Sequence, residues 1–219
     1  MSAVCGYGVV VAFPTLLAVV VPHTVYAQAG SAAGAPAQSE NRAFTTVKFL
    51  AGGALGLVMH ECGHLVFDAA LDAHPRIEPV HFGPIPFFAI SHRGDLSPRR
   101  ELTISSAGFW VQEGTSEWLL TTRPSLRREH APLAKGLLAF NVLNSIGYGI
   151  VAFAKAGPHE RDTRGIADAS RIDERGIGAL VIAPAILDGY RYFRPEAEWA
   201  KWASRAAKAG SVLLLITAR

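Results

Sequence analysis

Four apolar stretches, at about 45–72, 103–121, 133–154 and 175–194, constrain this 219-residue chain more than any other feature. Each is too long for a β-strand and shows no period-two alternation, so each reads as a helix. Charged residues make up only 18% of the chain, where a soluble domain carries about 25%. With so few charges the apolar surface of these helices is expected to face lipid. The fold class that follows is an all-α membrane protein, a bundle of about four transmembrane helices.

The segments around this core differ in composition. Val9–Val21 is an apolar run followed by the small residues of Val25-Tyr26-Ala27-Gln28-Ala29, which makes residues 1–27 a signal peptide or an N-terminal anchor. Residues 28–43, rich in Ala, Gly, Ser, Gln and Pro, read as a flexible linker. Between the first two helices, residues 77–90 carry β-branched and aromatic residues broken by Pro and Gly, the pattern of a β-hairpin at a membrane surface. The tail, 195–219, alternates Trp199 and Trp202 with basic residues and reads as an interfacial helix. The core domain is therefore 44–194, in a multi-pass protein of a bacterial cell membrane.

Charge narrows the partners. The 21 Lys+Arg and 18 Asp+Glu give a net +3, and the basic residues are scattered among loops rather than gathered on one stripe, so nucleic acid is not an expected partner. Loop charges nearly tie across the bundle, with Arg76, Arg93, Arg99 and Arg100 before the second helix and Arg123, Arg127, Arg128 and Lys135 after it. Cys5 and Cys62 have no neighbour at CxxC spacing, which leaves no disulfide framework or cysteine zinc knuckle.

Chemistry enters with His60-Glu61-Cys62-Gly63-His64, an HExxH sequence inside the longest apolar stretch. Residues i and i+4 of a helix share a face, so both imidazoles can bind one Zn²⁺. Glu61 projects in an adjacent direction, where it can take a proton from a metal-bound water and pass it to a leaving amine. Two histidines and a glutamate are costly within an apolar helix unless paired or bound. Gly52 and Gly56 continue the stripe of His60 and His64, so another helix can approach closely there. The extended motif with a third histidine six residues after the second is excluded, because Ala70 stands at that position. Glu113 and Glu117 of the second helix remain candidate carboxylate ligands, or interhelical hydrogen-bonding groups.

Three segments carry a family resemblance. His60-Glu61-Cys62-Gly63-His64 has the HExGH form, Ser106-Ala107-Gly108 resembles an AGP-containing helix that follows a membrane-associated hairpin, and Phe140-Asn141-Val142-Leu143-Asn144 resembles an FNLLP segment. Over residues 45–194 the chain thus resembles the site-2 protease family of intramembrane zinc metalloproteases. The resemblance implies Glu61 as the catalytic base, His60 and His64 as zinc ligands, and a third ligand from the Asp of an LDG motif that closely follows the asparagine segment. Here the chain departs from the family. Asp162 follows the Asn141 segment in the family's order and resembles the Asp-led helix start of compact relatives, whereas Asp188 in Leu187-Asp188-Gly189 matches LDG literally but a whole helix later.

Chain order favours Asp162, and depth agrees. Asp188 lies about 13 residues, or roughly 20 Å, into the fourth helix, while His64 lies about 8 residues, or roughly 12 Å, from the end of the first. Against a ligand role, Asp162 can be a helix N-cap and Asp188 a partner of Arg191 or Arg194. The expected function is a zinc metalloendopeptidase of the intramembrane type, acting on membrane-embedded or membrane-proximal protein segments, with the hairpin by resemblance clamping the substrate through strand addition. Its alternatives are a non-catalytic metal-binding membrane protein that keeps the HExxH helix, and a secreted soluble zinc enzyme, which the weakly charged surface disfavours.

Overall fold

The computed structural model describes residues 8–10, 41–82 and 85–217. The signal or anchor segment and the linker lie outside these residues, apart from 8–10 and 41–43. All four apolar stretches form helices: α1 (Arg42–Ala70), α2 (Pro98–Thr122), α3 (Pro132–Ala154) and α5 (Glu174–Phe193). Two more join them, the short α4 (Asp162–Ser170) and α6 (Glu198–Thr217).

The start of α1 is set by Asn41, whose side-chain oxygen accepts a hydrogen bond from the Ala43 amide, so the helix opens three residues before the apolar run suggests. Lys155 and Arg171, both with positive φ, end α3 and α4. Asp173 caps α5 by accepting from the Arg175 amide, and the Lys155 ammonium bonded to it holds its carboxyl below the usual range.

The hairpin forms as expected. β2 (Arg76–Phe82) and β3 (Ile85–Ser91) pair antiparallel, from Arg76 opposite Ser91 to Phe82 opposite Ile85. The other edge of β3 takes up β1 (Gly8–Val10), giving the order β1-β3-β2. Just past β3, His92 anchors the hairpin: its Nε2–H donates to Glu101 of α2 at 2.7 Å, while Nδ1 faces Asp68 of α1 at 3.7 Å.

α1 is inside out by the standards of a water-soluble protein. Its buried positions are Gly52, Gly56, His60, Glu61, Gly63, His64 and Asp68, while Phe44, Val47, Leu50, Val58 and Val66 are exposed, Leu50 and Val66 by 63% each. At 29 residues it is about 43 Å long, enough to cross a hydrocarbon core of about 30 Å. Among the described residues, α1 and α3 are long and apolar enough to span a membrane; α2 and α5 carry more charge.

Backbone proximity holds these two helices together. A methyl group built on Gly52 would strike the Leu133 carbonyl of α3, and one on Gly136 would strike the Phe49 carbonyl of α1. The small-residue stripe thus seats α3 directly on α1. Overpacking such a contact costs typically 1–3 kcal/mol. We expect Gly52→Leu to lower the stability of the detergent-solubilised protein in an SDS titration by at least that much, and Leu50→Ala, on the exposed face, to change it by no more than about 0.5 kcal/mol.

Candidate metal centre

His60 and His64 lie one turn apart on the buried face of α1, and α4 delivers Asp162 to them. His60 Nε2 is 3.1 Å from Asp162 Oδ2 and 3.2 Å from His64 Nε2; His64 Nε2 is 3.6 Å from the same carboxylate oxygen. A point equidistant from these three atoms lies about 1.9 Å from each, close to the ~2.0–2.2 Å of zinc–nitrogen and zinc–oxygen bonds. The three residues form a group able to hold a metal ion.

Hydrogen bonding sets one tautomer. Ile104 presents a carbonyl, which can only accept, so His64 Nδ1–H donates to it at 2.7 Å and in the neutral ring Nε2 carries the lone pair. That lone pair points at another imidazole nitrogen and at a carboxylate, with all three side chains buried. Nitrogen and oxygen atoms converging away from water need protons or a metal ion shared between them. Further polar atoms around the triangle also lack partners: His60 Nδ1, Asp162 Oδ1, and both carboxylate oxygens of Glu61.

Space is kept open by Gly108 of α2. A methyl group there would collide with both imidazole rings, so only glycine lets α2 lie this close to the donor atoms. This is the glycine of the Ser106-Ala107-Gly108 segment.

Asp162 is held from both sides. It is the first residue of α4 rather than its cap, since Arg161 occupies the cap position, and its carboxylate turns to the histidines. Arg161 makes a two-pronged ion pair with Glu174 at the start of α5, at 2.6 and 2.8 Å, and donates to the Pro158 carbonyl at 2.7 Å. The Thr163 hydroxyl reaches the same Glu174 at 3.4 Å. Both flanking side chains are therefore tied to one buried glutamate. Sequence reasoning missed Arg161 and Glu174; an arginine adjoining the favoured aspartate in an apolar protein was the available signal.

The other candidates sit elsewhere. Asp188 accepts from Ser204 at 2.6 Å, Lys208 at 2.8 Å and Arg191 at 3.2 Å. Glu117 joins the same cluster through Arg191, Arg205 and Lys208, and Glu113 interacts with Lys208 and Ser211 beside it. These carboxylates bind α2 and α5 to α6. The structure brings Asp162, not Asp188 or Glu117, to His60 and His64.

Comparison of the chain with family models, with curated proteins and with solved structures yields no match.

A ligand's loss acts on metal affinity, whereas a broken ion pair acts on stability. We expect Asp162→Ala and Gly108→Val to lose stoichiometric zinc after dialysis, measured by atomic emission, and Asp188→Ala to retain it with a lowered unfolding midpoint. Zinc lost from Asp188→Ala but kept by Asp162→Ala would reverse the ligand assignment.

Proposed function

We propose that this protein is a zinc-dependent endopeptidase of the intramembrane type, cutting membrane-embedded or membrane-proximal segments of other proteins. The observation that carries the reading is the unpaired carboxylate of Glu61, adjoining a buried triangle of two imidazole nitrogens and a carboxylate oxygen. His60, His64 and Asp162 would hold the ion, which supplies a water of lowered pKa and a Lewis acid for the scissile carbonyl. Glu61 accepts the water's proton as its oxygen attacks the carbonyl carbon, then returns a proton to the nitrogen as the C–N bond breaks. With neither oxygen engaged elsewhere, Glu61 is free for both transfers.

Several features support a membrane setting. The apolar outer face of α1 and the length of α1 and α3 suit a lipid environment. In this reading α2 and α5 also cross the bilayer, their charges turned inward: Glu117 of α2 pairs with Arg191 of α5, Asp188 of α5 with the same arginine, and both carboxylates with Lys208 of α6. The uptake of Gly8–Val10 along β3 is the kind of pairing by which an extended substrate segment would be held.

A second reading, a closed structural metal site without catalysis, is favoured by the burial of all three donors. One substitution separates the two. Glu61→Gln should keep zinc while cleavage of detergent-solubilised single-span reporter proteins falls by at least 100-fold; full activity in this variant would end the hydrolytic reading. Alkaline carbonate should leave the protein in the membrane pellet, since buried spans of ~20 residues are not released by pH, and release into the supernatant would refute the multi-span arrangement.

A further inference from the structure

The α3 wall of the site carries a phenol that the motif does not include. Tyr148 is 2% exposed, and its ring is fixed on two sides: stacked on His60 with centroids 6.1 Å apart, and edge-on to Phe109 at 5.2 Å. Phe109 in turn packs edge-on against His60 at 5.5 Å. The ring thus has little freedom to turn away from the metal centre.

Its hydroxyl is buried and makes no hydrogen bond of good geometry, though it interacts with the Asp162 carboxylate. A buried hydroxyl without a partner is costly, and such groups persist where a ligand completes them. Tyr148 interacts with the carboxylates of both Asp162 and Glu61, so the phenol belongs to the same buried polar group. The unpartnered carboxylate oxygens of Glu61 and Asp162 are acceptors, whereas the Tyr148 hydroxyl is a donor. An attack on a carbonyl generates negative charge on oxygen, and that charge calls for a donor already in place.

We propose that Tyr148 is a catalytic residue whose hydroxyl donates a hydrogen bond to the oxyanion formed from the scissile carbonyl. This rests on the peptidase reading. As the water oxygen bonds to carbon, the carbonyl π pair moves onto oxygen and the water's proton goes to Glu61. Tyr148 keeps its own proton throughout, and its bond to the oxygen relaxes when the C–N bond breaks, the carbonyl re-forms and the amine leaves with a proton from Glu61.

Acetohydroxamate provides a test without a known substrate, because its carbonyl oxygen occupies a metal-adjacent position and accepts a hydrogen bond. In the zinc-loaded, detergent-solubilised protein, Tyr148→Phe keeps the ring and should weaken acetohydroxamate binding about 10-fold by calorimetry, with zinc content and azide binding to the cobalt-substituted form unchanged. Unchanged hydroxamate affinity with zinc intact would overturn the assignment. Zinc loss in Tyr148→Phe would also overturn it, since the hydroxyl would then be supporting Asp162. If this variant does not fold, 3-fluorotyrosine at position 148, a stronger donor of nearly the same shape, should tighten acetohydroxamate binding, and no change would count against the proposal. A wild-type protein that holds zinc yet binds no hydroxamate would refute the peptidase reading itself, an outcome distinct from a failure confined to position 148.

Discussion

The hydrogen bond from His64 Nδ1 to the Ile104 carbonyl, 2.7 Å long, determines the polarity of everything around it. Because a proton is committed on that side, the opposite nitrogen of the neutral ring is an acceptor with no choice of tautomer. It faces a second imidazole and a carboxylate in a space closed to water. Such a cluster is satisfied by shared protons or by a shared metal ion, and the surrounding fold leaves room for an ion among the three side chains. Gly108 withholds a side chain, α4 presents its first residue, and the Arg161–Glu174 pair keeps that residue in place. Remote contacts such as Gly52 against Leu133 serve the same end by fixing α1 against α3, from which Tyr148 projects.

Much of this was legible in the chain. Helices as long as α1, α2, α3 and α5 announce themselves by apolar length, and the hairpin by Pro and Gly breaking a run of β-branched and aromatic residues. The pair His60 and His64 was fixed by i, i+4 geometry, and the close approach of another helix by the glycines below them. Asp162 was reached by chain order, a weaker argument, because local spacing does not report on contacts across 102 residues.

What stayed hidden depended on tertiary partners. Leu187-Asp188-Gly189 reads as a ligand motif until α6 folds back and brings Ser204 and Lys208 to the same carboxylate. The tail, read as an interfacial helix, forms α6, which buries Ser204, Lys208 and Ser211 against its neighbours while Trp199 and Trp202 remain exposed. α4 has only nine residues, too few for periodicity to distinguish it from loop. Tyr148 had a faint signal, lying one turn beyond Asn144 and two beyond Asn141 on an apolar helix, where polar side chains need a reason.

The Arg161–Glu174 clamp has a thermodynamic corollary. If the three side chains hold an ion, Asp162 can ligate it only while α4 is docked, by Arg161 and Thr163 on Glu174 and by Ile166 and Ala167 in the core, so ion binding and docking of α4 are linked equilibria. An ion that binds the docked arrangement alone deepens it by RT ln(1 + [ion]/Kd), and undocking must weaken the ion's hold by the same factor. A force acting on the α3–α4 connection, at a distance from the histidines, would thereby alter the affinity of the three side chains for a metal ion.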